Sequence, residues 1–287
     1  MIGSDQAEGL YLHLGVHRSG TSYFQSFLGL NAGRLHDHGV KAVYPGRDGA
    51  RDGALRLKLP ERAAFDAGAL ERFDNSFNRQ NRRHGFEASR NLLLSEENFP
   101  GNMQSHHTDT LFPTARERMA YLCRKVGKPV RRVLYVLRRY DEFYISSYRK
   151  RLEFAHMAPF AELRPAMVAM TRGWADVVAD IHAGTGAPEI VIARHEALPA
   201  APKLLTALMP LLPAQGWIAP TGRVNASRPI AELTAVQNAK RARSGRLPLE
   251  QADFSPGFSD AEIRAFTTRY EQDLTRIAAM PFVRMLG

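Results

Sequence analysis

Residues 12–28, LHLGVHRSGTSYFQSFL, join an apolar run to a glycine turn, a Thr-Ser pair and an aromatic-rich helical stretch. That order suits an anion cradle. Backbone N–H groups from Arg18 through Ser22 would stand at a helix start, where unsatisfied amides and the helix dipole both favour negative charge. Gly15 and Gly20 permit the turn and a close backbone approach. Thr21 and Ser22 add hydroxyl donors beside Ser19, and Arg18 adds a permanent charge. Counted from Gly15, the spacing is that of a P-loop, GxxxxG followed by Thr21 and Ser22, but Thr21 stands where a nucleotidase places its lysine. The nearest cation is Arg18, two residues before Gly20. A cradle that keeps its amides and moves its cation suits a phosphoanhydride chemistry other than that of an ATPase.

A second constellation lies in VLYVLRRYDEFYISSYRKRL, residues 133–152. Arg138 closes an apolar run, Ser146 follows eight residues later on a helical stretch, and Tyr148 comes two residues after that. An arginine at a strand's carboxyl end and a serine on the next helix can converge on one ligand at the C-terminal edge of an open α/β sheet. Read alone, such an arginine is equally a solvated surface charge. Glu96 and Glu97 follow another apolar run, where a carboxylate can take a proton from a hydroxyl or simply cap a helix. His36, His38, His106 and His107 invite a metal reading, but HExxH, CxxC and carboxylates at ligand spacing are absent, so no metal site is expected. The esterase pattern GxSxG is absent as well.

The elements that would position these groups alternate. Leu10–Gly15, Asn91–Ser95, Arg132–Arg138 and Glu189–Arg194 read as strands, each a near-continuous apolar run of the kind covered on both faces of a parallel sheet. Between them, Thr114 and Glu117 have the spacing of a capping box, and Gly127 with Pro129 ends that helix. A second box, Ser259 and Glu262, opens a C-terminal helix with Ile263, Phe266, Tyr270, Leu274 and Ile277 at helical spacing. The fold class expected is α/β: an open, mostly parallel, doubly wound sheet flanked by helices, with a helical C-terminal part over 213–287. One domain over residues 1–287 is expected, with 45–90 as a substrate-facing insertion or lid.

The chain of 287 residues carries a formal charge of +10, 44% hydrophobic and 24% charged residues. The charge favours an anionic ligand without choosing among nucleotide, acidic sugar, nucleic acid and membrane surface. Basic residues are scattered, so no nucleic-acid partner is expected. No apolar run approaches the roughly 18 residues of a membrane helix, and the single Cys123 fits a reducing, cytoplasmic setting and a place in the core. The sequon at Asn225 has no secretory context to act on it.

Together, the first two segments resemble the sulfotransferases that use 3′-phosphoadenosine 5′-phosphosulfate (PAPS). That family has a 5′-phosphosulfate loop of the type HxGxxKTGTT and a 3′-phosphate motif of the type RxxxxxxxSxY; here HLGVHRSGTS and RRYDEFYISSY stand in their places. The wording is similar to the bacterial carbohydrate-type branch. Its GVxYP and SSExF segments are matched by Gly39-Val40 with Tyr44-Pro45 and by SEENF at 95–99, and RVNAS at 223–227 looks like a nucleotide-side loop. The ordered matches span residues 12–150, about half the chain.

The resemblance implies a P-loop α/β fold and PAPS as cofactor, with adenosine 3′,5′-bisphosphate as product and no metal. Arg18, Ser19, Gly20, Thr21 and Ser22 would hold the 5′-phosphosulfate, and Arg138, Ser146 and Tyr148 the 3′-phosphate. Glu97 would be the base, with Glu96 as the fallback. His17, immediately before Arg18, reads either as another donor to the sulfonyl or bridging oxygen or as a surface or loop-packing histidine. The acceptor would be a carbohydrate or glycolipid hydroxyl on a small molecule or glycan. One departure stands out: Arg18 replaces the loop lysine, which keeps the charge and changes the shape of the contact. Rival readings are a P-loop kinase or NTPase, for which Thr21 is the wrong residue, and a non-catalytic nucleotide- or polyanion-binding protein. Oligomeric state has no signature in the chain.

Overall fold

A computed structural model describes residues 8–46, 50, 53–61, 67–103, 108–221 and 228–287. Six strands, β1 (Gly9–Gly15), β2 (Val40–Val43), β3 (Asn91–Ser95), β4 (Val130–Leu137), β5 (Ile190–Arg194) and β6 (Val283–Met285), form one sheet in the order β2-β3-β1-β4-β5-β6. Every pairing is parallel. Alternate residues of the central strands feed two cores. Leu10, Leu12, Leu14, Val133, Tyr135 and Ile190 face one, and Leu93, Leu134, Val136, Val191 and Ala193 face the other. Burial on both faces is why these strands read as continuous apolar runs.

Four of the six strands fall where the apolar runs predict them. The two additions are edge strands: β2, VKAV, exposes Lys41, and β6 is three residues long. An edge strand pairs on one side only, so neither needs an apolar run. At the third predicted strand, Arg138 lies one residue past the end of β4.

Helices α1 (Thr21–Leu30), α2 (Ala32–Asp37) and α3 (Ala67–His84) precede β3. Then come α4 (Ala115–Val126), α5 (Tyr140–Phe154), α6 (Phe160–Val168), α7 (Trp174–Thr185) and α8 (Ala201–Leu208). The chain closes through α9 (Ile230–Arg243), α10 (Gln251–Phe254), α11 (Asp260–Ala278) and β6. Within the expected insertion at 45–90, the described part packs inward: Leu55, Leu57, Leu59, Phe73 and Phe77 all join the larger core.

The two capping boxes part ways. Ser259 has extended backbone, accepts from the Glu262 N–H at 3.3 Å, and Glu262 accepts the Ser259 N–H in return at 2.7 Å. Thr114 makes no such bond: at ψ 20° its hydroxyl cannot turn back to the first helical turn, which requires an extended cap residue. Gly127 ends α4 in the left-handed region as its type allows, its N–H donating to Cys123 O. Cys123 packs partly buried against the larger core, and burial pushes its thiol up to about 12.

Candidate functional site

Strand order sets the location. The chain leaves β1 toward β2 on one side of the sheet and leaves β4 toward β5 on the other. The carboxyl ends of neighbouring β1 and β4 therefore form the switch point at which open α/β sheets bind ligands. Gly15 pairs with Val136, and the Val16 N–H still donates to Val136 O at 2.9 Å, so residues 16–20 rise from β1 directly beside Arg138.

The loop's shape follows from backbone conformation. Arg18 and Gly20 both have positive φ, 68° and 95°; alternation of this kind gathers successive amides into one concavity. Gly20 O accepts from Tyr23 N and Phe24 N, while the amides of Thr21 and Ser22, at the first two positions of α1, have no intrahelical acceptor. A Cβ on Gly15 would come within 2.8 Å of Ser19 Oγ and 3.4 Å of Thr21 Oγ1. Both hydroxyl oxygens are buried without a hydrogen-bond partner among the described residues. Buried polar atoms of this kind normally find one.

Arg138 donates through Nη1 to Arg18 O at 2.5 Å, and Arg18 Nε donates to Ser146 Oγ at 3.2 Å. Two segments more than 100 residues apart thus meet at one point. Burial lowers the Arg138 guanidinium from its ordinary value and Glu142 opposes this; an arginine stays charged regardless. Trp174 fixes the far side of this corner by donating from Nε1 to Arg138 O at 2.9 Å. Tyr148 serves packing: its hydroxyl donates to Ala158 O at 2.9 Å and its ring meets Phe160 edge-on.

On the other flank, the turn after β3 carries Glu96 and Glu97. Glu97 is half-buried, whereas Glu96 is 3% exposed. Glu96 lines a cleft of about 440 Å³ together with Pro45, Leu55, Leu57, Asn98 and Arg118, among others. His17, fully buried, hydrogen-bonds through Nε2 to Asn98 Oδ1 at 2.9 Å, so the cleft adjoins the loop.

Three residues of this site escaped the sequence reading. Arg118, buried in α4, donates to Phe99 O, Asn98 O, Leu59 O, Pro60 O and Glu61 Oε1, bracing both walls of the cleft. Its signal was a charge on the apolar stripe of Ala115 and Leu122. His195 follows β5; burial and then Arg138 lower its imidazole, while a hydrogen bond with the Ser19 backbone opposes them. Asn98 stood in plain view within SEENF but had no reason to be chosen.

The donor set around Gly15 (loop amides, two buried hydroxyls and two arginines) fits a phosphate-like dianion. The loop residues Arg18, Ser19, Gly20, Thr21 and Ser22 are thus assembled with Arg138 and Ser146. Residues 106–107 and 223–227 lie outside the described residues. Among the described residues no cluster of His, Cys, Asp and Glu could hold a metal ion, and no helix is long and apolar enough to cross a membrane. Compared with models of known protein families and with curated proteins, the chain matches none.

Proposed function

We propose that the chain is a sulfotransferase that passes the sulfonyl group of PAPS to a hydroxyl acceptor, most simply on a carbohydrate or glycolipid. The observation that carries this reading is the meeting of Arg138, Arg18 and Ser146 beside a loop in which Ser19 Oγ and Thr21 Oγ1 are buried without hydrogen-bond partners among the described residues. Those are the residues that the resemblance assigns to the two phosphate ends of one nucleotide. When bound, PAPS supplies an activated sulfonyl group on a phosphate leaving group.

The chain's own residues then have separate tasks. The amides of Arg18 through Ser22 with the Ser19 and Thr21 hydroxyls hold the 5′-side oxygens, and Arg18 neutralises the charge that gathers on the leaving phosphate. Arg138 and Ser146 hold the 3′-phosphate, for which Arg18 Nε must release Ser146 Oγ. His17 backs the loop. A carboxylate of the Glu96–Glu97 pair takes the acceptor's proton. Positioning and electrostatics supply most of the catalysis, as in phosphoryl transfer.

Calorimetric titration of the purified protein with adenosine 3′,5′-bisphosphate, beside AMP and ATP with magnesium, tests the reading. Binding that requires the 3′-phosphate is expected. Arg138→Ala should weaken it about 10- to 100-fold, the worth of one charge-assisted contact. A preference for ATP with magnesium would instead make the chain a kinase or NTPase, and indifference to all three would leave the sulfotransferase reading without support.

A further inference from the structure

The turn after β3 contains a chain of hydrogen bonds whose directions can be read from chemistry. Asn98 donates twice to Glu96 Oε1, from its backbone N–H at 2.8 Å and from Nδ2 at 2.7 Å. A carboxylate oxygen accepts, so the amide is turned with Nδ2 toward Glu96 and Oδ1 toward His17. Oδ1 accepts, and the His17 nitrogen 2.9 Å away is therefore a donor, which places a proton on Nε2. The chain runs from a buried imidazole one residue before Arg18 to a nearly buried carboxylate in the cleft wall. From this turn, Glu96 and Asn98 are the residues that line the cleft.

We propose that Glu96, rather than Glu97, takes the acceptor proton, and that Asn98 is the positioning residue that holds Glu96 and ties it to His17; this rests on the sulfonyl-transfer reading. The step balances. The hydroxyl proton passes to the Glu96 carboxylate, and the electron pair left on the hydroxyl oxygen forms the new bond to sulfur. The bond from sulfur to the phosphate oxygen breaks, its pair leaving on the phosphate beside Arg18. Glu96 afterwards returns its proton to water. Two donors on one oxygen fix the carboxylate's rotamer, so its basic edge is set before the acceptor arrives. The arrangement also explains a buried histidine inside an anion loop: it holds the amide that holds the base.

The test needs no knowledge of the natural acceptor. Full-length protein labelled with ¹⁵N-histidine should show His17 carrying a proton on Nε2 by long-range NMR correlation, and Asn98→Ala should shift that signal. Release of sulfate from PAPS, with water as acceptor, should fall about 100-fold in Glu96→Gln, the typical worth of a general base, and at least tenfold less in Glu97→Gln. Asn98→Asp keeps an acceptor for His17 but turns a second carboxylate toward Glu96. It should lower that rate about 30-fold while binding of adenosine 3′,5′-bisphosphate stays within twofold. A proton on Nδ1 alone, or an equal or larger loss in Glu97→Gln, overturns the inference and leaves the sulfotransferase reading standing if the bisphosphate still binds. Failure of the unaltered protein to bind the bisphosphate overturns both.

Discussion

At Ser19 and Thr21 of the loop after β1, hydroxyl hydrogen-bonding capacity is held in reserve. Ser19 Oγ and Thr21 Oγ1 are buried without partners among the described residues, Arg18 sits at φ 68°, and the first α1 amides face outward from the helix. In the neighbouring cleft wall the reverse holds, since Arg118 alone donates to five oxygens of the 59–61 and 98–99 segments. A positive φ on a non-glycine residue and unsatisfied buried hydroxyls are each costly, on the order of 1–3 kcal/mol. Such costs persist where a ligand can offset them. The wall is instead satisfied from within and can stay rigid whatever fills the cleft. On the proposed reading, the first region receives the ligand and the second positions it.

Removing the brace should have the largest effect. Arg118→Ala leaves four backbone carbonyls of the wall without their donor and should cost about 4 kcal/mol, lowering the melting temperature by roughly 10 °C. Binding of adenosine 3′,5′-bisphosphate at the loop should change less than threefold. An equal loss of both would erase the distinction between the regions.

His13 of β1 has its Nδ1 2.7 Å from Ser95 Oγ and its ring against Phe24 of α1. Burial lowers its imidazole to about 3, so between pH 6.5 and 3 the unfolded chain binds a proton that the native state refuses. Stability should therefore be lost as pH falls through that window, about 3 kcal/mol between pH 7 and pH 4 from this residue alone. Urea titrations at the two pH values check this, and His13→Gln should flatten the difference.

The smallest effect should come from Gly15→Ala, which puts a methyl group against Ser19 Oγ and Val136. Crowding the cradle should weaken bisphosphate binding about 30-fold, roughly 2 kcal/mol, with little change in melting temperature. A lower melting temperature with unaltered binding would mean that Gly15 serves strand packing and not the anion.

Much of this was legible because it is local. Apolar runs marked the four inner strands, and the order Gly15, Arg18, Gly20, Thr21 at a strand–helix junction marked the loop. The Arg138–Ser146 spacing marked its neighbour. Charged residues at apolar spacing were legible too, had they been weighed: Arg118 stands between Ala115 and Leu122, and Asp273 between Tyr270 and Ile277. Both are buried hubs, Asp273 accepting from Tyr140 OH and from the Trp174 N–H. Thr114 misled because a capping box is a spacing, whereas a cap is a backbone angle set by how the helix start is packed.

By itself the sequence determined the doubly wound class, the loop that follows β1 and the cation placed in it, because periodicity and turn chemistry act over a few residues. Which distant groups would share that corner was decided by the tertiary structure. Strand order set β1 between β3 and β4, and only that adjacency brings Arg138 and Ser146 to Arg18 on one side and Asn98 to His17 on the other. The choice between Glu96 and Glu97 belongs to the same class of question. Successive residues in a turn point different ways, and the direction of each is set by what packs against it.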